Sequence, residues 1–218
     1  MSVALVTGAN RGIGLEVCRQ LDARGHDVIL GSRDLAKGRA VAGGLRVVQL
    51  DVADDDSVRR AAEEIEELDI LVNNAAILYD TWARAETADL DEVRTALETN
   101  LFGAWRTTQA FLGHLRRSAH PRVVNVSSES GSLAGMSGGT PAYSVSKAGL
   151  NALTRLLATE LRRDRILVNA ICPGWTDTDM GQGGRPVDQG AASVVWAAEL
   201  EDDGPTGGFF RDGRPLAW

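Results

Sequence analysis

Val3-Ala-Leu-Val-Thr-Gly-Ala-Asn-Arg-Gly-Ile-Gly14 is the stretch that decides the fold of this chain. Its first four residues are apolar and predict a buried strand, and residues 13–24 have the amphipathic pattern of a helix. Between the strand and the helix lie three glycines, Gly8, Gly12 and Gly14. Such a turn lets backbone N–H groups approach a phosphate, and the helix N-terminus adds partial positive charge. Glycine turns also arise for steric reasons alone, so nucleotide binding needs support from the rest of the chain.

Composition limits the classes of protein to which the chain can belong. It has 218 residues, 44% of them hydrophobic and 24% charged, which is enough for one sizeable core. The net charge of −7 and the scattered basic residues disfavour nucleic acid and acidic membrane surfaces as partners. No apolar run approaches the roughly 20 residues of a membrane span, and no basic leader precedes the first strand. We therefore expect a cytoplasmic protein.

Cysteine and histidine positions give no metal-ligand spacing. Cys18 and Cys172 are expected to be small buried residues in a reducing compartment, and the three histidines form no cluster. We therefore predict no metal.

Apolar runs and amphipathic stretches alternate along the chain. Strands are predicted at 27–31, 46–50, 69–72, 122–126, 166–171 and around 208–210. Helices are predicted at 57–67, 90–117 (two helices meeting near Asn100), 141–163 and 187–200. This alternation predicts right-handed crossovers and a parallel sheet covered by helices on both faces. We predict one doubly wound α/β domain over residues 1–218, with about seven strands in the order 3-2-1-4-5-6-7.

Polar residues follow almost every predicted strand directly. They lie at 7–14, 32–33, 51–52, 73–74, 127–128 and 173–180. The carboxyl ends of parallel strands meet at one edge of the sheet, where the ligand crevice of such folds opens. These segments therefore converge on one site.

Tyr143 and Lys147 lie one helical turn apart, so their side chains share one face of helix 141–163. The helix opens with Pro141, and Thr140 is its expected N-cap. A phenol has a pKa of about 10, and an ammonium group within about 4–6 Å lowers that pKa. A tyrosine tuned in this way can exchange a proton with a carbonyl or an alcohol oxygen. For an isolated pair, an exposed tyrosine beside a solvated lysine is the alternative.

Six motifs follow one another in a characteristic order. They are Thr7-Gly-Ala-Asn-Arg-Gly-Ile-Gly14, Asn73-Asn-Ala-Ala76, Asn100, Ser127-Ser128, Tyr143-x-x-x-Lys147 and Pro173-Gly174. In this order and spacing, over nearly its whole length, the chain resembles the short-chain dehydrogenase/reductase family, which has a Rossmann-type fold. Three stretches, 123–128, 172–175 and 178–180, look closest to the carbonyl reductases. Unlike the animal monomeric carbonyl reductases, the chain has no long insertion between the serine and tyrosine motifs.

The resemblance implies a role for each of four catalytic residues. Tyr143 is the general acid in carbonyl reduction, and Lys147 lowers its pKa and binds the nicotinamide ribose. Ser128 donates a hydrogen bond to the substrate oxygen, and Asn100 holds a water that relays protons toward Lys147. Two donors at the carbonyl oxygen stabilise the charge that develops there.

Ser128 is preferred over its neighbours Ser127 and Ser130. Gly131 follows Ser128 at the family's spacing. Side chains alternate along a strand, so Ser127 and Ser128 should face opposite ways. Ordinary loop hydrogen bonding is the alternative for Ser127 and Ser130.

By the same resemblance the chain binds a nicotinamide dinucleotide, and we predict that this cofactor is NADP(H). Asp51 would accept a hydrogen bond from the adenine amino group, and Thr178 would hold the carboxamide. The implied cofactor-binding residues are Gly8, Asn10, Arg11, Gly12, Ile13, Gly14, Ser32, Arg33, Asp51, Val52, Asn74, Tyr143, Lys147, Pro173, Gly174, Thr176 and Thr178. A turn carboxylate is the alternative for Asp51.

The end of the second strand favours NADPH over NADH. An acidic residue there would bind the ribose hydroxyls of NADH. The chain has Ser32 and Arg33 instead, and the family's NADPH-using members aim the residue matching Arg11 at the same region. Asp34 is the one contrary residue, and we interpret it as the N-cap of the next helix. A surface charge is the alternative for Arg33.

Four features leave details of the site open. Ala76 stands where the family has glycine, which would cost about 1 kcal/mol if φ is positive there. The glycine-rich loop 179–187 predicts an open, mobile cleft. Trp175 is a candidate wall of the cleft, or else core packing, and Glu129 is expected to be exposed to solvent.

Together these observations favour an NADPH-dependent oxidoreductase that reduces a small-molecule ketone or aldehyde to an alcohol. The alternatives are an NAD-dependent alcohol dehydrogenase and a non-catalytic sensor or scaffold, since fold does not fix function. The complete set of four catalytic residues favours an enzyme. Outward Leu, Ala and Phe residues on helices 100–117 and 141–163 predict a homodimer or homotetramer.

Overall fold

The computed structural model describes residues 1–218 and contains one sheet of eight strands. The strands are β1 Val3–Val6, β2 Asp27–Ser32, β3 Arg46–Gln49, β4 Ile70–Asn73, β5 Arg122–Val126, β6 Leu167–Ile171, β7 Phe209–Arg211 and β8 Arg214–Pro215. Their order is β3-β2-β1-β4-β5-β6-β7-β8, and only β8 runs antiparallel to its neighbour. The predicted order of the first seven strands is confirmed. The sequence does not reveal β8, because two residues show no periodicity.

Seven α-helices surround this sheet. They are α1 Gly12–Ala23, α2 Leu35–Val41, α3 Asp55–Glu64, α4 Leu90–Leu97, α5 Gly103–Arg117, α6 Pro141–Glu160 and α7 Val187–Ala198. One layer of the core joins Leu5 and Leu71 of the sheet to Phe111 of α5 and Leu150 of α6. The opposite layer joins neighbouring strand residues such as Val6 to α1 and α7. The sheet is therefore covered on both faces, as alternating side chains along its strands require. No helix is both long enough and apolar enough to cross a membrane.

Aspartates fix several helix starts. The carboxylate of Asp34 accepts the N–H groups of Ala36 and Lys37, so its predicted role as the N-cap of α2 is confirmed. Asp54 caps α3 in the same way, which starts that helix two residues earlier than predicted. In contrast, α1 begins at Gly12 with no side-chain cap and no acidic residue in its first turn.

The helical region predicted at 90–117 is interrupted near Asn100, where two helices were predicted to meet. Between α4 and α5 the residues Glu98–Phe102 form a π-helical turn, and Asn100 lies buried within it. A π turn is wider than an α turn and is often found at functional sites.

Candidate active site

A cavity of about 480 Å³ lies along the carboxyl ends of the parallel strands. Fourteen of the sequence-predicted site residues line it: Gly8, Asn10, Arg11, Gly12, Ile13, Gly14, Arg33, Asp51, Val52, Asn74, Tyr143, Lys147, Pro173 and Thr178. The convergence predicted from the strand ends is therefore present. Its walls also include residues that were not predicted as catalytic or cofactor-binding: Leu50, Ala75, Ala76, Ile77, Thr99, Val126, Ser127, Asp177, Asp179, Met180 and Val187. The apolar residues of this set cannot be recognised as site residues from the sequence. Asp179 could have been, because it is a charged residue directly after the predicted cofactor residue Thr178.

Three predicted cofactor residues do not line this cavity. Ser32 is buried and its hydroxyl donates to the carbonyl oxygen of Asp34 at 2.7 Å, so it closes its own turn. The Thr176 hydroxyl likewise donates to the carbonyl oxygens of Pro173 and Gly174 at 3.1 Å. Gly174 has φ of +72° and packs against Arg185. These residues shape the loops next to the cavity, and their direct contact with a cofactor stays a prediction.

The glycine turn is packed closely against the loop after β4. Gly8 and Gly12 have φ of +63° and +56°, which favours glycine. A Cβ on Gly14 would lie 2.4 Å from the amide nitrogen of Asn74. That amide donates to the carbonyl oxygens of Thr7 and Gly8 at 2.9 and 3.2 Å. The turn thus presents the uncapped N-terminus of α1 to the cavity, which suits an anionic ligand.

Two guanidinium groups stand at this end of the cavity. Arg33 is exposed and forms no ion pair. Arg11 pairs with Asp179 at 2.7 Å across the mouth of the cleft. Both members of that pair are exposed, so the pair contributes at most about 1 kcal/mol.

The serine and tyrosine motifs meet at the other end. Ser128 lies beside the Tyr143 phenol, close enough for a side-chain hydrogen bond that favours the phenolate. The Ser127 hydroxyl points the other way and donates to Asn151 at 2.6 Å, as strand alternation predicts. Lys147 is only 2% exposed, and its Nζ donates to the carbonyl oxygen of Val126 at 2.8 Å. The same Nζ lies 5.5 Å from the centre of the Tyr143 ring.

The expected lowering of the tyrosine pKa by lysine is wrong for this structure. Burial raises the pKa of Tyr143, the nearby Cys172 thiol and Tyr79 add to the rise, and only the Ser128 hydrogen bond opposes it. Burial also lowers the pKa of Lys147 to about 8, so this ammonium gives up its charge more easily than usual. Burial is the largest cause of both pKa shifts, and burial cannot be read from the spacing of two residues in the sequence.

Lysine titration offers a direct check on this environment, since the chain contains only two lysines, Lys37 and Lys147. In NMR spectra of protein labelled with ¹³C-lysine, the Lys147 side-chain signal should titrate near pH 8. The exposed Lys37 signal is the second resonance of the same spectrum and serves as its assignment control. Between pH 8 and about 10.4, the pKa of lysine in an unfolded chain, the unfolded chain binds one more proton than the folded one at Lys147, so this group makes stability rise with pH. A Lys147 signal that titrates only above about pH 10 would contradict the burial argument.

Asn100 lies outside the cavity wall and holds the loop after β4. Its Oδ1 accepts the N–H of Ile77 at 2.8 Å, and its Nδ2 donates to the Ile77 carbonyl oxygen at 3.1 Å. The same Nδ2 donates to the Ser146 hydroxyl at 3.0 Å. The side chain thus joins the π-helical turn to α6 and to the loop, and the expected water relay stays a prediction.

Aromatic rings extend outward from the phenol of Tyr143. The Tyr79 ring meets it edge-on at 5.1 Å between centroids and lies 5.5 Å from the ring of Trp175. Trp175 is 51% exposed, which excludes core packing, but it lines neither of the two cavities, so its role as a wall of the cleft stays a prediction. A second cavity of about 410 Å³ adjoins Tyr79 and is lined mostly by polar residues of the loop between β5 and α6.

Three further expectations about these loops are settled by the geometry. Glu129 is exposed to solvent, as expected, and it also pairs with Arg211. Ala76 is not among the residues with positive φ, so its methyl group causes no backbone strain, and Leu78 has φ of +58° instead. Thr140 adopts φ of +45° and makes no capping bond, so its predicted N-cap role is wrong, and the carboxylate of Asp80 caps α6.

The loop after β6 is fastened at its base. Backbone hydrogen bonds join Trp175 and Asp177 to Arg185, and the Arg185 guanidinium binds both carboxylate oxygens of Asp212 at 2.9 and 3.0 Å. Its glycine-rich tip bears Asp179, the partner of Arg11. Mobility of this loop stays a prediction. His, Cys, Asp and Glu side chains do not gather in groups of three that could hold a metal ion.

A doubly wound sheet, with a glycine turn at its first crossover and serine, tyrosine and lysine at its carboxyl edge, defines a Rossmann-fold oxidoreductase. Residues 2–188 match the family model described as short chain dehydrogenase. The chain belongs to the short-chain dehydrogenase family, and within it is similar to the carbonyl reductases.

Individual relatives match along nearly the whole chain. Carbonyl reductase [NADPH] 3 of Mus musculus is 35% identical over 277 aligned positions, covering 99% of this chain and 98% of that protein. (+)-Neomenthol dehydrogenase of Arabidopsis thaliana is 34% identical, with 95% of each covered. The solved structure of NADPH-bound carbonyl reductase from chicken fatty liver has a TM-score of 0.91 at 28% identity, covering 100% of this chain and 94% of that one.

Proposed function

We propose that residues 1–218 form one domain that reduces a ketone or aldehyde carbonyl to an alcohol with NADPH. The observation that carries this proposal is the meeting of Tyr143 and Lys147 at one end of the main cavity, with Arg11 and Arg33 at the other. Ser128 does not line this cavity but lies beside the phenol of Tyr143. The carbonyl reductase relatives named above for NADPH support the same cofactor.

The donor set of the cavity fits a dinucleotide with a phosphorylated ribose. The first turn of α1 lacks a side-chain cap and acidic residues, which suits a pyrophosphate. Arg33 forms no ion pair, and the carboxylate of the adjacent residue, Asp34, is engaged in capping α2. When bound, NADPH supplies the hydride.

The protein's own residues handle the proton. The raised pKa of Tyr143 keeps its phenol protonated at neutral pH, which suits a donor to the carbonyl oxygen in the direction of reduction. The Ser128 hydroxyl supplies the second hydrogen bond to the oxygen as negative charge develops. Lys147, with a pKa of about 8, holds or releases a proton close to physiological pH. Its position beside the Tyr143 ring suits it to restore the proton of the phenol.

The proposal is tested by a panel of aldehydes, ketones and diketones assayed with NADPH and with NADH. We expect NADPH oxidation with at least one neutral carbonyl compound. Tight NADP(H) binding with no turnover of any compound would favour a sensor or scaffold. A preference for NADH would favour an NAD-dependent alcohol dehydrogenase.

An exposed apolar surface on two neighbouring helical segments supports a homo-oligomer. Phe102 ends the π-helical turn, Trp105 lies in the first turn of α5, and Val145 and Leu156 lie on α6. All four have large exposed fractions. Light scattering should find a species of at least twice the 23.2 kDa chain, and Leu156→Glu should shift it toward the monomer. A single species of chain mass at micromolar concentration would contradict this prediction.

A further inference from the structure

The N-terminus of α6 is held by a carboxylate from a distant part of the chain. Oδ2 of Asp80 accepts the N–H of Ala142 at 2.9 Å, and Oδ1 accepts the N–H of Tyr143 at 3.1 Å. Asp80 is only 1% exposed. One of its two hydrogen bonds therefore ends on the backbone of the residue that carries the proposed proton donor.

This contact replaces the local cap that the helix lacks. An N-cap side chain normally comes from the residue before the helix and binds the second and third N–H groups. Thr140 stands at that position, but its hydroxyl interacts with the Ser144 hydroxyl at 3.0 Å instead. Asp80, 62 residues before Ala142, binds the same two N–H groups. No cation pairs with Asp80, so these N–H groups and the partial positive charge of the helix N-terminus compensate its buried charge.

The segment that carries Asp80 is itself fixed at both ends. Asn100 binds both backbone polar groups of Ile77. Leu78 then takes φ of +58°, a conformation that residues other than glycine rarely adopt. After this bend, the Tyr79 ring meets the edge of the Tyr143 ring and Asp80 reaches the start of α6. The segment 77–80 thus joins the π-helical turn to the backbone and to the ring of Tyr143.

We propose that Asp80 is a positioning residue that sets the orientation of the Tyr143 phenol toward Ser128. Tyr143 is the third residue of α6, within the first turn, whose N–H groups have no partner in the helix itself. Without the carboxylate this turn frays, and the phenol moves relative to the hydroxyl of Ser128. A misplacement of about 1 Å at a reacting group can cost about 100-fold in rate. The inference rests on the proposed role of Tyr143 as proton donor.

A cap that only stabilises the fold makes a different prediction from a positioning residue. Loss of a purely stabilising cap lowers the folded fraction but leaves the turnover of each folded molecule unchanged. Loss of a positioning residue lowers kcat of the folded enzyme and leaves NADPH affinity intact, because Tyr143 moves while the glycine turn stays.

The test compares Asp80→Ala and Asp80→Asn with Asp89→Ala in the full chain. Asp89 caps α4 through the N–H of Asp91 at 2.8 Å and lies outside both cavities. After correction for the folded fraction, kcat of Asp80→Ala should fall about 10- to 100-fold. Its NADPH dissociation constant, measured by cofactor fluorescence, should stay within about twofold of wild type. Asp80→Asn should recover part of kcat, because its amide oxygen still accepts one N–H. Asp89→Ala should keep the kcat of wild type.

Two further measurements separate positioning from stability. Hydrogen exchange followed by mass spectrometry should accelerate at residues 140–147 in both Asp80 variants and not elsewhere in α6. In a Tyr143→Phe background, Asp80→Ala should lower the residual rate by less than about twofold, because two residues that act through one group are not additive.

The inference is overturned if folded Asp80→Ala keeps the kcat of wild type, or if it loses the same factor with and without the Tyr143 hydroxyl. If Asp80→Ala does not fold, Asp80→Asn decides. Faster exchange at 140–147 with an unchanged kcat then overturns the inference. Full activity of Tyr143→Phe would instead overturn the proposed function, so the two failures are distinguishable.

Discussion

Replacing Tyr143 with phenylalanine should lower kcat for carbonyl reduction by at least about 100-fold, the usual scale of lost general acid catalysis. The phenyl ring keeps its contacts with Tyr79 and Lys147, so only the proton donor is removed. The NADPH dissociation constant should change by less than about twofold, because the uncapped start of α1 and Arg33 lie at the other end of the cavity.

The chain offers a matched control for this substitution. Tyr79 is its only other tyrosine and packs against Tyr143 through its ring. Tyr79→Phe removes a phenolic hydroxyl from the same cleft and should keep most of the turnover. Retention of most activity by Tyr143→Phe, or an equal loss in both variants, would contradict the assignment of Tyr143 as the proton donor.

Arg33→Ala should raise KM for NADPH by about 10- to 100-fold and leave the kinetics with NADH nearly unchanged. A hydrogen bond to a charged group is worth about 1.5–3 kcal/mol, which corresponds to that factor. Arg33 forms no ion pair within the protein, so no internal partner competes for its guanidinium. Arg11→Ala should have a smaller effect, because Arg11 already pairs with Asp179.

Arg39→Ala is the control for general loss of positive charge. Arg39 lies in the last turn of α2, is exposed and does not line the cavity. It should leave KM for both cofactors unchanged. A wild-type preference for NADH, or an equal weakening of both cofactors by Arg33→Ala, would show that Arg33 does not bind the 2′-phosphate.

The sequence predicts the sheet order and most of the main cavity, because both depend on local patterns. Short apolar runs give the strands, and the handedness of crossovers leaves few ways to order them. Residues that closely follow a strand must lie at its carboxyl end, which is why Asp51, Asn74 and Pro173 reach one cavity. Position after a strand does not determine where a hydroxyl group points. The Ser32 hydroxyl donates to the carbonyl oxygen of Asp34 in its own loop.

The other errors come from interactions between distant residues. Thr140 before Pro141 is a strong local signal for an N-cap, whereas Asp80 reaches the same helix from the loop after β4 and leaves no trace in sequence spacing. Burial raises the pKa of Tyr143, and Lys147 is not among the groups that shift it. A one-turn separation of Tyr143 and Lys147 reports only that they share a face.

The π-helical turn Glu98–Phe102 has a consequence for aligning this chain with others. A π turn closes its hydrogen bond one residue later than an α turn, so it accommodates one residue more than a continuous helix needs. Deleting a single residue there would let α4 and α5 join as one regular helix and would rotate Asn100 away from Ile77. A one-residue gap opposite positions 98–102 therefore marks sequences that have lost the widened turn, even where an asparagine still aligns with Asn100.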